Sequence, residues 1–228
     1  YEIASCLVGS EMCIRDSTDA ILYILDPKNA DLADLGTVMP NVYHTKEEMI
    51  DCVNSFYEGM VQRSEEIKRH PNYKTGENYA YLGLPPCFLI FDEYVAFFEM
   101  LGVKESTSLL SQLKKIVMLG RQAGYFLIVA CQRPDAKYFS DGIRDNFNFR
   151  VGLGRISELG YGMLFGSDVK KQFFQKRIKG RGYCDVGTSV ISEFYTPLVP
   201  KGHDFLQTIG SLAQARQDGT ATCEAKGD

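Results

Sequence analysis

Pro85-Pro86-Cys87-Phe88-Leu89-Ile90-Phe91-Asp92-Glu93-Tyr94 is the stretch on which the fold turns. Four apolar residues, Phe88 to Phe91, run straight into two adjacent carboxylates. An unbroken apolar run of this length reads as a strand buried on both faces, as in a parallel sheet. Asp92 and Glu93 then stand at its carboxyl end, the end at which open α/β sheets bind ligands. A core strand capped by a solvated acid pair fits the same residues, so the neighbouring segments have to decide.

Working outward, the preceding apolar run is Ala20-Ile21-Leu22-Tyr23-Ile24-Leu25, a second buried strand. It stops at Asp26-Pro27-Lys28-Asn29, where proline ends the ladder. Asn29 to Leu35 reads as a short helix ended by Gly36. Thr45 followed by Glu48 is a capping box that opens the next helix. Met49, Val53, Phe56, Tyr57, Met60, Val61 and Ile67 place a core stripe along that helix as far as about Arg69. His70-Pro71 stops it, and residues 72–84 read as a polar surface loop.

Beyond the central run, Leu109, Leu110, Leu113, Ile116 and Val117 mark an amphipathic helix ending between Gly120 and Gly124. Tyr125 to Cys131 is a third buried strand, followed by Gln132-Arg133-Pro134. Phe149 to Leu153 is a shorter strand. Strands alternating with helices in this way predict βαβ units and a mostly parallel sheet flanked by helices. Lys170, Lys171, Lys176, Arg177, Lys179 and Arg181 form the one dense basic patch, which is also what a solvated helix face would carry. Gly180-Arg181-Gly182 leads into a further strand. Residues 206–228 are small, polar and weakly patterned, and read as a flexible tail.

Composition bounds the function. The 228 residues suffice for one α/β domain with a sizeable core. A net charge of −4 excludes bulk electrostatic binding of nucleic acid, so any DNA contact must be local. No apolar run approaches the roughly 20 residues needed to span a bilayer. The seven cysteines are scattered without a C-x-x-C pair, which predicts a reducing, cytoplasmic setting and no structural metal.

Three strand ends now coincide in type: Asp26-Pro27-Lys28, Asp92-Glu93 and Gln132-Arg133-Pro134. In a parallel sheet they line one edge. A carboxylate pair, an amide and cations gathered there suit a nucleotide-phosphate site, with Asp92-Glu93 as a Walker B element. Asp92 would organise Mg²⁺, Glu93 would align the attacking water and Gln132 would sense the γ-phosphate of ATP. Asp26, Lys28, Arg133 and Arg181 are further candidates for nucleotide contact.

On these residues the chain resembles the RecA-like P-loop motor domain of the FtsK/SpoIIIE family of DNA translocases. The matching segments are Leu25-Asp26-Pro27-Lys28, Phe88 to Glu93, Gly120-Arg121-Gln122-Ala123-Gly124, Ala130 to Pro134 and Gly180-Arg181-Gly182. They cover residues 18–205, with the Gly-Arg-x-Ala-Gly segment and Gln-Arg-Pro the most discriminating. Within the family the texture is similar to the motors of Gram-positive conjugative elements. The resemblance implies a homo-oligomeric ring, expected to be a hexamer, threading double-stranded DNA by ATP hydrolysis at the inner face of the cell membrane. Relaxase or membrane transfer proteins are the expected partners. Nucleotide would lie between subunits, with an arginine supplied by the neighbour. Arg121 is favoured over Arg133, Arg150 and Arg181. The basic patch (Lys170, Lys171, Lys176, Arg177, Lys179) would face DNA or the subunit interface.

Two departures stand out. No G-x-x-x-x-G-K-[ST] loop occurs in the 228 residues, although that loop cradles the phosphates of P-loop enzymes. Residues 1–17 resemble the translated read-through of a sequencing adapter and occupy the place where the family carries the loop and its strand. The expectation is therefore a motor fragment lacking its own Walker A strand and loop, inactive as it stands. Ile3 to Val8 is the segment expected to slide into the resulting gap. Two other functions remain open: a secretion-system motor of the same superfamily, and a non-hydrolysing ring element that binds partners.

Overall fold

β1 (Ile21–Leu25) and β3 (Cys87–Phe91) pair in parallel along their whole length, from Ile21 opposite Cys87 to Leu25 opposite Phe91. β4 (Tyr125–Val129) pairs with β3 in the same sense, and β2 (Val42–Tyr43) adds to the far side of β1. The order in this four-stranded parallel sheet is β2-β1-β3-β4. The computed structural model describes residues 19–133, 137–138, 141–166, 169, 173, 178–188, 190–197 and 199–217.

The strands are apolar throughout because both faces are covered. Leu25, Cys87, Leu89, Phe91 and Tyr125 belong to one buried cluster, with Leu127 and Val129 packed on it. Leu22, Ile24 and Ile90 belong to a second cluster, with Phe88 and Ile128 packed on that one. Two helices cover the first face: α1 (Lys46–Arg69), through Met49, Val53, Phe56 and Met60, and α3 (Val103–Ala123), through Leu109, Leu113 and Ile116. Between β3 and α3 lies the short α2 (Tyr94–Glu99), which inserts Tyr94, Phe97 and Phe98 into the same cluster.

The expected caps shape these helices. Thr45 Oγ1 accepts from the Glu48 amide at 3.4 Å and donates to the Glu48 carboxylate at 2.7 Å. At the other end of α1, His70 is extended (ψ 134°) before Pro71. Val61, counted on the core stripe, is 40% exposed. α3 closes on Gly124 in the left-handed conformation (φ 77°). Gly120 has a different reason to lack a side chain: a Cβ there would lie 2.2 Å from the Tyr125 carbonyl oxygen.

Several sequence expectations are corrected. The helix read over Asn29–Leu35 is a 3-10 turn over Ala33–Thr37, because residues 28–33 first wrap around the Asp26 carboxylate. The strand over Phe149–Leu153 is β5 (Arg150–Leu153), which follows the short α4 (Asp141–Arg144). It does not extend the parallel sheet. It pairs antiparallel with β6 (Arg181–Asp185), which pairs antiparallel with β7 (Ile191–Tyr195). Gly152 and Gly182 permit this close pairing, since a Cβ on Gly182 would meet the Gly152 carbonyl oxygen at 1.9 Å. Between β5 and β6 lies α5 (Glu158–Phe165). The start of the segment read as a tail is helical: α6 (Phe205–Gln217) buries Ile209 in the second cluster, and Ala213 one turn on is buried too. Asp204 accepts from the Gln207 amide at 2.9 Å and so caps it.

Among the described residues, β4 pairs only with β3 and β5 only with β6. The expectation that Ile3 to Val8 fills the sheet lies outside the described residues. No described helix is long and apolar enough to cross a membrane.

Candidate nucleotide site

The register brings three strand ends level, since Leu25 lies opposite Phe91 and Phe91 opposite Val129. Asp92 donates its amide to the Leu25 carbonyl at 3.0 Å, and Ala130 donates to Phe91 at 2.9 Å. The chain then turns sharply at Glu93, a non-glycine residue in the left-handed region (φ 43°, ψ 44°) that caps α2. Such backbone is costly for a side chain with a Cβ and is held by its surroundings. Here Tyr94 anchors the turn by donating to the Ala130 carbonyl at 3.0 Å.

Glu93 is the meeting point of all three strands. Lys28, beyond β1, places Nζ 2.8 Å from Glu93 Oε1. Gln132, beyond β4, donates Nε2 to the same oxygen at 2.9 Å. Among the described residues, Glu93 Oε2 has no hydrogen-bond partner.

Asp26 is fully buried and plays another part. Its Oδ1 accepts from the Lys28 amide at 3.1 Å, and Oδ2 from the Ala30 and Ala33 amides at 2.8 and 3.1 Å. Expected as a nucleotide contact, it is spent on shaping the turn that carries Lys28.

Asp92 is 6% exposed. Burial pushes its carboxyl up to about 6, the Asp26 and Glu93 charges push the same way, and the Glu93 amide and Lys28 oppose them. Mg²⁺ sites of this kind take one or two carboxylates and fill the remaining positions with phosphate oxygens and water. Asp92 fits that donor set, because a divalent cation would relieve the crowding of negative charge around it. Among the described residues no group of three or more His, Cys, Asp and Glu could hold an ion alone. Cys131, which sequence reasoning passed over, lies beside the acids. Burial, then the Glu93 and Asp92 charges, push its thiol up to about 12. Its signal was available: it is the second residue past β4, a strand in register with β3.

The remaining candidates lie elsewhere. Arg133 is exposed just beyond β4. Arg121 is exposed in the last turn of α3, next to the start of β4, and thus at the opposite end of the sheet from Asp92. Arg150 is tied within its own chain, with Nη2 2.6 Å from Asp185 Oδ2 and Nη1 donating to the Leu164 carbonyl at 3.2 Å. Arg181 lies at the start of β6 with its guanidinium 4.7 Å from the Tyr195 ring centroid. Lys179 is exposed in the turn before β6. Lys170, Lys171, Lys176 and Arg177 lie outside the described residues.

A parallel sheet covered by helices on both faces, with an acid pair at the end of a central strand, defines a RecA-like P-loop ATPase fold. Solved structures agree on the fold. The pCW3 conjugation coupling protein TcpA, solved with ATPγS, superposes with a TM-score of 0.64 at 18% identity, covering 78% of this chain and 52% of that one. EssC (ATPases 2 and 3) of Geobacillus thermodenitrificans gives 0.63 at 16% identity, over 96% of this chain and 42% of that one. Thermomonospora curvata EccC (ATPases 2 and 3), in complex with a signal sequence peptide, gives 0.62 at 16% identity, over 95% and 40%. The sequence is more specific: it is 55% identical over 205 residues to the Ftsk domain-containing protein YdcQ of Bacillus subtilis (strain 168), covering 90% of this chain and 42% of that protein. By sequence the chain is similar to this FtsK domain-containing protein, and it spans less than half the length of that curated relative. No protein-family model matches it.

Proposed function

We propose that this chain is part of an ATP-driven motor that moves double-stranded DNA, in conjugative transfer or chromosome partition. The observation that carries the reading is the convergence of Asp92, Glu93 and Gln132 at the level ends of adjacent parallel strands, with Gln132 bonded to Glu93 at 2.9 Å. Bound Mg²⁺ would supply charge neutralisation for the phosphates. Asp92 would hold that ion through water, Glu93 would orient the attacking water, and Gln132 would carry the state of the γ-phosphate to Glu93. The phosphate loop itself would come from sequence outside these 228 residues. Arg121, at the far end of the sheet, would serve a neighbouring subunit's nucleotide in a ring. Arg133 and Arg181 would line the same interface, and the basic patch that ends at Lys179 would meet the DNA backbone, where a ring multiplies a few cations per subunit.

The relative in conjugation, TcpA, supports the DNA reading. A second reading, a motor that moves protein, draws on EccC, a Type VII secretion ATPase solved in complex with a signal sequence peptide, whose likeness covers 95% of this chain. The two separate in one assay on the full-length protein. A DNA motor shows ATP hydrolysis stimulated by double-stranded DNA and unmoved by a secreted peptide; a protein motor shows the reverse. Glu93→Gln abolishes turnover in either case and still binds ATP. Unchanged turnover in that variant rejects the site.

A further inference from the structure

The geometry points to Lys28 as a positioning residue for Glu93 rather than a ligand of nucleotide; the inference rests on the ATPase reading above and deepens it. Lys28 and Gln132 converge on the same carboxylate oxygen, Glu93 Oε1, at 2.8 and 2.9 Å. They approach from opposite neighbours of β3, one past β1 and the other past β4. Two donors on one oxygen fix the carboxylate plane and leave Oε2 for water. A group that must align water within a few tenths of an ångström requires that restraint.

Lys28 is itself held for the task. Its backbone amide donates to Asp26 Oδ1, and Pro27 fixes the turn before it, so the base of the side chain is set by buried structure while its tip reaches Glu93. The Lys28 side chain is 44% exposed and that of Glu93 only 15%. The ammonium thus covers the solvent side of the carboxylate. Replacing the Lys28 side chain removes the restraint without touching the turn, because the bond to Asp26 uses the backbone.

The test compares Lys28→Met and Lys28→Arg with the parent and with Glu93→Gln. It uses the full-length protein, in steady-state hydrolysis and in equilibrium binding of a fluorescent ATP analogue. Lys28→Met is expected to lower kcat at least tenfold while the analogue's Kd stays within twofold of the parent. Lys28→Arg, which keeps the cation, is expected to recover most of kcat. A tenfold weaker Kd with kcat retained would make Lys28 a phosphate ligand and overturn the assignment. A kcat that rises or holds in Lys28→Met overturns it too. A parent with no hydrolysis, matched by Glu93→Gln, overturns the ATPase reading itself, a result distinct from both.

Discussion

Arg150 and Asp185 meet across the β5–β6 ladder at 2.6 Å, with the Asp185 side chain almost wholly withdrawn from solvent. Asp185 Oδ1 also accepts from the Gly187 amide at 2.9 Å, so the carboxylate closes the turn after β6 as well. An arginine so engaged is a fixture of its own chain and is not available to a neighbour's phosphate.

Arg150→Ala should therefore act on stability. It leaves a buried carboxylate without its cation, a change that costs about 3 kcal/mol. Urea denaturation is the check, and a loss under about 0.5 kcal/mol, the range of ordinary surface substitutions, would show the pair to be incidental.

Asp26→Ala should also act through the fold. Three backbone N–H groups lose their acceptor at once, and bonds to a charged acceptor contribute about 1.5–3 kcal/mol each in favourable settings. We expect a loss of about 3 kcal/mol or more in the same urea experiment. Glu93→Gln, at a side chain 15% exposed, should lose far less.

Asp92 predicts a pH dependence in metal-free protein. Folding raises its carboxyl from the ordinary 3.8 to about 6. The folded state thus holds the proton more tightly. The stabilisation from protonation is fully present below about 3.8 and is lost as pH rises through about 6. At pH 7.5 the charged group costs the fold up to about 3 kcal/mol. Asp92→Asn should match the parent near pH 3.5 and exceed it in stability at pH 7.5, measured by denaturation in chelator. A variant less stable than the parent at pH 7.5 would contradict the burial argument.

Gly120→Ala should destabilise α3 although alanine favours helices by about 1 kcal/mol. The new Cβ would sit 2.2 Å from the Tyr125 carbonyl oxygen, a backbone atom that cannot step aside. Overpacking of this kind costs about 1–3 kcal/mol, so a net loss of up to about 2 kcal/mol is expected, read as a lowered thermal midpoint.

The parallel sheet was legible because its strands are continuous apolar runs ended by chemistry: Leu25 by Asp26, Phe91 by Asp92. The level strand ends, and with them the meeting of Lys28, Glu93 and Gln132, follow from that register. What failed was local. Val42–Tyr43 is too short to carry a period, so β2 was invisible. An apolar run such as Phe149 to Leu153 does not encode the direction of its partner, so the antiparallel pairing of β5 was missed. Asp26 looked like a ligand because its type and place suit one; only the fold shows that residues 28–33 consume it. The helix α6 had a signal, Asp204 as cap and Ile209 with Ala213 at helical spacing, obscured by Gly210 and Ser211 between them.

Cys131 gives the acid pair a native reporter. Its thiol stays protonated because it is half-buried and faces the charges of Glu93 and Asp92, and a protonated thiol alkylates slowly. Anything that neutralises those carboxylates, whether Asp92→Asn or a cation arriving between them, makes the thiolate easier to form. The rate at which iodoacetamide labels Cys131 therefore reads out the charge of the site without turnover.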